Sequence, residues 1–120
     1  MSKFKVLFYE KEDGTCPIQE FLDLLEPKLK AKTYGLLVVL SEKGNELRGP
    51  YSKHIEDGIF ELRIIVGSNI VRAFYFFCWN REIVMTNGFV KKTEKTPRRE
   101  IRLAKKYRDD YLRRFENENS

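Results

Sequence analysis

The sequence predicts an α+β domain of element order β-α-α-β-β-β-α, and three features carry that prediction. Prolines at positions 17 and 27 each open a segment with apolar residues at helical spacing. Three runs rich in β-branched and aromatic residues then fill positions 59–90, broken by Gly67-Ser68-Asn69 and by Trp79-Asn80-Arg81-Glu82. Finally, Thr96-Pro97 with Glu100 three residues on marks the start of an amphipathic helix. The expected product is a small twisted, mainly antiparallel sheet packed against a helical hairpin, with a C-terminal helix. It forms one domain over residues 1–120 whose last few residues fray.

Each element has a local reason. Residues 3–9 alternate and favour extended backbone, giving a first strand, and Asp13-Gly14 lies in the polar turn after it. Cys16-Pro17 opens the first helix, with Ile18, Phe21, Leu22, Leu24 and Leu25 as its apolar stripe. The second helix covers about 27–43, with Leu29, Tyr34, Leu36, Leu37 and Leu40 facing inward and Gly44 as its C-terminal cap. Residues 45–58 read as a connector punctuated by Gly49-Pro50 and Asp57-Gly58. Strands follow at about 59–66, 70–78 and 82–90, with Gly88 marking a bulge or a close backbone approach. Thr96 is the expected N-cap of the last helix and Pro97 its first residue. Ile101, Ala104, Tyr107, Tyr111, Leu112 and Phe115 continue its stripe.

At 120 residues, 42% hydrophobic and 13% aromatic, the chain can bury one modest core. The net charge of +5 suits an anionic partner: nucleic acid, an acidic protein or a membrane surface. No apolar run approaches the roughly 18 residues of a membrane-spanning helix, and the first residues lack a signal-peptide core. The reading is a cytoplasmic protein with no membrane partner, in which Cys16 and Cys78 stay reduced and pack as small apolar groups. Two cysteines and one histidine offer no metal-ligand spacing, so no metal is expected. Without a phosphate-binding glycine loop or nucleophile elbow, no cofactor is expected either.

What remains is a set of cations. Strand side chains alternate faces, so Glu61 and Arg63 share one face, and Arg72, Phe74 and Phe76 share one face of the next strand. A two-residue loop through Gly67-Ser68-Asn69 puts Arg63 and Arg72 on the same side. Burying an unpaired arginine is costly, so that face is expected to be open to solvent or a partner. Lys91, Lys92 and Lys95 crowd the exit of the last strand, while Lys53 and His54 of the connector either reach toward a phosphate or are plain solvated residues.

Arginine holds phosphate with paired hydrogen bonds, and lysine adds charge or moves a proton. RNA carries its own nucleophile, the 2′-hydroxyl beside each phosphate, so cleavage needs only orientation, charge stabilisation and proton transfer. Phe74 and Phe76 would offer stacking surfaces for bases. The plainer reading pairs Arg63 and Arg72 with Glu61 or with carboxylates of a partner chain. It leaves the basic last helix, Arg98 and Arg99 included, as a solvated face. On residue chemistry alone, a module that only binds nucleic acid ranks above a nuclease.

The element order, with FELRI, VRAFYFF and above all GFVKKTEKTPRREIRLA, resembles the HigB toxins of the RelE/ParE superfamily, in particular the phage-related branch, over nearly the whole chain. The resemblance implies a toxin of a type II toxin–antitoxin system that enters the ribosome and cleaves mRNA without metal, by attack of the 2′-hydroxyl on the adjacent phosphate. It implies a HigA-like helix-turn-helix antitoxin as partner, with operator DNA bound only through the toxin–antitoxin complex. The family's basic positions fall on Arg63, Arg72, Lys91 and Lys92, with Lys95 nearby. Lys53, His54, Arg98, Arg99 and Phe74 are then candidate contacts to RNA or ribosome.

Two positions depart from the RelE pattern. Glu61 stands where a second basic residue is found, and the tyrosine near the C-terminus has no clear counterpart, since Tyr107 and Tyr111 read as core or interface. Within the same fold the rival is a ParE-like gyrase inhibitor. Outside it, the rival is a non-catalytic nucleic-acid-binding accessory protein. If the shared arginine face is the site, Arg72→Ala should relieve growth inhibition with the fold intact.

Overall fold

The computed structural model describes residues 3–91 and 95–118. In chain order these form β1 (Lys5–Phe8), α1 (Pro17–Asp23), α2 (Pro27–Lys43), a 3-10 turn over Gly44–Glu46, β2 (Ser52–Glu56), β3 (Ile59–Val66), β4 (Asn69–Cys78), β5 (Glu82–Lys91) and α3 (Arg98–Glu118). The strands make one mixed sheet in the order β1-β5-β4-β3-β2. β1 runs parallel to β5, and the other neighbours are antiparallel.

Pro17 and Pro27 are the first residues of α1 and α2, where the missing N–H has no helical partner to lose. Gly44 ends α2 at φ 54°, and a Cβ there would fall inside the Phe4 ring, so both backbone and packing demand glycine. The buried seam of α2 runs Leu29, Thr33, Leu37 and Leu40. The expected stripe through Tyr34 is therefore corrected. Thr33 takes that place because its hydroxyl donates to the Leu29 carbonyl at 2.7 Å, while Tyr34 lies exposed.

The sheet carries a core on each face. On one side Leu62, Ile64, Val71, Tyr75 and Met85 pack on Ile18 and Leu22 of α1 and on Leu37 and Leu40 of α2, which is the expected helical hairpin. On the other, Ile59, Phe74, Phe76 and Val84 pack on Ile101, Ala104 and Tyr107 of α3. Tyr9 joins this second core, stacked on Tyr107 with ring centroids 4.8 Å apart and donating its hydroxyl to Asp110 at 2.6 Å. Burial and the Asp110 carboxylate together push the Tyr9 phenol up to about 12, so it stays a neutral donor. Cys16 packs with the first core and Cys78 with the second, on opposite sides of the sheet.

One local feature differs from the sequence reading, another gives substance to the irregularity expected near Gly88, and both shape the site. The segment taken as a connector contains β2, an edge strand joined to β3 through Asp57 (φ 50°) and Gly58 (φ 77°). Two successive left-handed residues are the turn that matches the twist of a tight hairpin, so Asp57-Gly58 was the signal for this strand. The second feature is a bulge in β5. Ala73 pairs with Gly88 and Tyr75 with Met85, so Thr86 and Asn87 together face Phe74. Gly88 also permits the close approach expected of it, since a Cβ there would lie 2.7 Å from the Phe21 ring and 3.0 Å from the Arg72 carbonyl oxygen.

Candidate functional site

The bulge decides which way the end of β5 points. Met85 faces α1 and α2, and without an extra residue so would positions 89 and 91, because strand side chains repeat every two residues. The extra residue reverses that phase. Phe89 now pairs with Arg72, and Lys91 with Ile70, on the face that α3 occupies. Asn87, one of the two bulged residues, points toward α3 and donates to the Glu100 carbonyl and carboxylate at 3.4 Å, tying the bulge to the first turn of that helix.

α3 covers only half of this face. Its contacts fall on Ile59, Phe74 and Phe76, and its far end stacks Phe115 on Trp79 at 5.3 Å. Its start lies beside Glu61 and Arg72, through Thr96. The register therefore leaves the other half, Arg63 and Ile65 of β3, Ile70 of β4 and Lys91 of β5, beyond the helix. Lys53 of β2 pairs with Glu61 and adds an exposed cation to the same face at the sheet edge. Lys95 is exposed just ahead of α3. The result is a sheet half-roofed by a helix, with a cationic open half.

Arg63 and Arg72 do face the same way, directly paired across a two-residue turn closed by Val66 and Asn69, as parity predicts. The expectation that this whole face is open is corrected. Arg72 is 1% exposed and Glu61 is 1% exposed, and the Arg72 Nη1 donates to Glu61 Oε1 at 2.6 Å. α3 has closed over the pair, and the carboxylate makes burial of the guanidinium tolerable. Phe74 is fully buried against Phe89 and α3, so the stacking surface expected of it, and of its buried neighbour Phe76, is occupied by the protein itself.

Arg63 differs. It is half-buried, its Nε is shielded, and no hydrogen bond or ion pair holds its guanidinium among the described residues. Lys53 and His54, expected together, point to opposite faces because they are neighbours in a strand. His54 sits edge-on to Phe60 at 5.0 Å, on the side of α1 and α2, and its Nε2 accepts the Gly58 N–H. It is away from the cationic half. Lys92 lies outside the described residues.

On α3, Arg98 is engaged by Glu56 of β2, with Nη2 3.1 Å from Oε2, and Lys105 reaches the same carboxylate. Arg99 is 82% exposed and only 3.6 Å from Glu100, which leaves it a loosely held cation at the rim. Arg98 and then Lys105 hold the Glu56 carboxyl at about 2, well below its ordinary range. A carboxyl that binds its proton less readily when folded contributes stability above its unfolded value, lost as the pH falls from about 4.5 toward 2. In urea titrations, Glu56→Gln should therefore flatten part of the loss of stability between about pH 5 and about pH 2.5; an unaltered slope would remove Glu56 as its source.

The helix start is also shifted. The Pro97 carbonyl accepts the N–H groups of Glu100 and Ile101, at 3.1 and 3.4 Å, so Pro97 rather than Thr96 occupies the cap position. The Thr96 hydroxyl turns to the sheet instead, donating to Glu61 Oε1 at 3.2 Å and accepting from Arg72 Nη1 at 3.3 Å. The role of Thr96 follows from no spacing in the sequence, whereas the Arg72–Glu61 pair is the plainer of the two sequence readings, here true of Arg72 and not of Arg63. The presence of Glu61 in an apolar run, two residues from an arginine, was the one available signal. Among the described residues, no group of three or more histidine, cysteine or carboxylate side chains is gathered as a metal site needs. Among the same described residues, no helix is long and apolar enough to cross a membrane.

The described residues thus form an α+β sheet half-roofed by a helix, with Arg63, Lys91 and Lys53 on or beside its open half. The family model described as phage derived protein Gp49-like (DUF891) matches residues 20–109, most of the chain, and this protein belongs to that family. The family is RelE/ParE-like, and its members are often toxins of toxin–antitoxin systems, which suggests an antitoxin as partner. No curated protein matches the chain in its own right.

Proposed function

We propose that this protein is a HigB-type toxin that cleaves mRNA on the translating ribosome. The observation that carries the reading is the open half of the sheet, where Arg63 has no protein partner among the described residues and Lys91 faces the same way. Arg63 holds the scissile phosphate and stabilises the charge that builds on it as the adjacent 2′-hydroxyl attacks. Such electrostatic stabilisation is often the largest single contribution to catalysis. Lys91 and Lys95 extend the cationic surround, and the groups that move protons are among Lys91, Lys92 and Lys95. Lys53 and Arg99 widen it into a track for the RNA backbone or ribosomal RNA. No metal or cofactor takes part, and the activity belongs to the cytoplasm.

The partner is a HigA-like helix-turn-helix antitoxin, through which operator DNA is bound. Its seat is supported by an apolar groove of about 360 Å³ beside the site, between α2 and the upper edge of β3. Leu36, Val39, Tyr51 and Ile65 line it, and its charged side chains, Lys32 and Arg63, are both cationic. That chemistry fits an apolar segment carrying carboxylates, whose docking would also cover Arg63.

Purified protein is expected to cut message on programmed ribosomes, seen as new primer-extension stops, and to leave the same RNA intact in free solution. Uncut message together with inhibited gyrase supercoiling would replace this reading with the ParE-like one. Uncut message with RNA binding alone would leave a non-catalytic nucleic-acid-binding module.

A further inference from the structure

Arg72 occupies a position where the family resemblance implies a catalytic cation, yet it lies buried in an ion pair that touches a third element. Glu61 Oε1 receives both Arg72 Nη1, at 2.6 Å, and the Thr96 hydroxyl, at 3.2 Å. Side-chain exposure of the pair is 2% for Arg72 and 1% for Glu61. A hydroxyl has one proton to give and two lone pairs to receive, and Thr96 uses both capacities here, donating to the carboxylate and accepting from the guanidinium. β3, β4 and the segment entering α3 meet at this one node.

We propose that Glu61 and Arg72 are positioning residues that latch Thr96, and that they do not bind the phosphate. The latch fixes the height of the α3 start over the open half of the sheet. Thr96 is followed by Pro97, whose carbonyl receives the first helical N–H groups, and preceded by the exposed Lys95. Holding Thr96 therefore holds Lys95 on one side and Arg99 on the other, where each faces the RNA. The second tie to the same turn, from Asn87 to Glu100, is longer, at 3.4 Å, and lacks a full charge on its donor. Glu61 thus supplies anchorage at a position where RelE-like relatives carry a cation. The inference rests on the proposed nuclease reading for its consequence, though the latch itself is a property of the free protein.

Thr96→Val tests it, because valine keeps the shape and leaves the Glu61–Arg72 pair in place while removing the hydroxyl. Amide exchange at Glu100 and Ile101, whose N–H groups bond the Pro97 carbonyl, is expected to quicken about tenfold. Turnover on programmed ribosomes, assayed well below the unfolding temperature, should fall about ten- to a hundredfold with KM unchanged. Thr96→Ser, which retains the hydroxyl, should restore both. Wild-type exchange in the valine variant would overturn the latch. Quickened exchange with wild-type turnover, or a loss confined to KM, would overturn its positioning role. A wild-type protein that cuts no message would instead defeat the nuclease reading, and the exchange measurement would still decide the latch.

Discussion

Arg72→Ala is expected to destabilise the fold by about 3–5 kcal/mol, the cost of leaving a buried carboxylate without its partner. Glu61 has nowhere to turn: it is 1% exposed under the start of α3, and its remaining donor among the described residues is the Thr96 hydroxyl. A domain of this size is commonly stable by about 5–15 kcal/mol in total, so the loss is a large share of it and, toward the lower end, leaves a substantial unfolded population at growth temperature. A loss of growth inhibition on Arg72→Ala would then report unfolding rather than lost chemistry. This replaces the expectation, drawn from the sequence, that the fold would survive that change. Urea midpoints decide the matter. Removing both charges together, as Glu61→Leu with Arg72→Met, should recover most of the lost stability, because apolar replacements of similar volume satisfy a buried site well. A single variant as stable as wild type would mean that the pair contributes nothing to the fold.

Arg63→Ala is expected to behave in the opposite way, with cleavage falling about a hundred- to a thousandfold while the fold is unharmed. Its guanidinium has no partner among the described residues, so its removal strands no carboxylate among them. Its directly opposed neighbour is Arg72, and removing one of two like charges facing each other relieves a repulsion. The urea midpoint should stay within about 0.5 kcal/mol of wild type or rise slightly. Arg63→Lys should recover part of the activity, since lysine keeps the charge but not the planar fork that matches a phosphate. Wild-type cleavage by a folded Arg63→Ala protein would remove this residue from the site. Measured together, the two substitutions would separate an arginine that holds the protein from one proposed to hold the substrate.

Local chemistry made much of the fold readable in advance. The two prolines set the helix starts, Gly44 stopped α2, and the tight turn between β3 and β4 fixed the facing of Arg63 and Arg72. β2 went unread because its residues, SKHIE, carry little β-propensity, although Asp57-Gly58 behind them encodes the turn. The bulge at Thr86 and Asn87 had only Gly88 to announce it. It reverses Phe89 and Lys91, so simple alternation along β5 would have sent Lys91 to the wrong side.

The sequence by itself determined the order of elements, the pairing of the two arginines across one hairpin, and the stock of cations available to a phosphate. Each depends on residues within a few positions of one another, where backbone sterics and side-chain period act directly. Only the tertiary structure decided which of those cations remain open. The contacts of the buried Arg72–Glu61–Thr96 cluster join residues 11, 24 and 35 positions apart, and they require the start of α3 to lie over that part of the sheet. Two arginines alike in sequence and facing the same way thus part in burial, because a helix end covers one and stops short of the other.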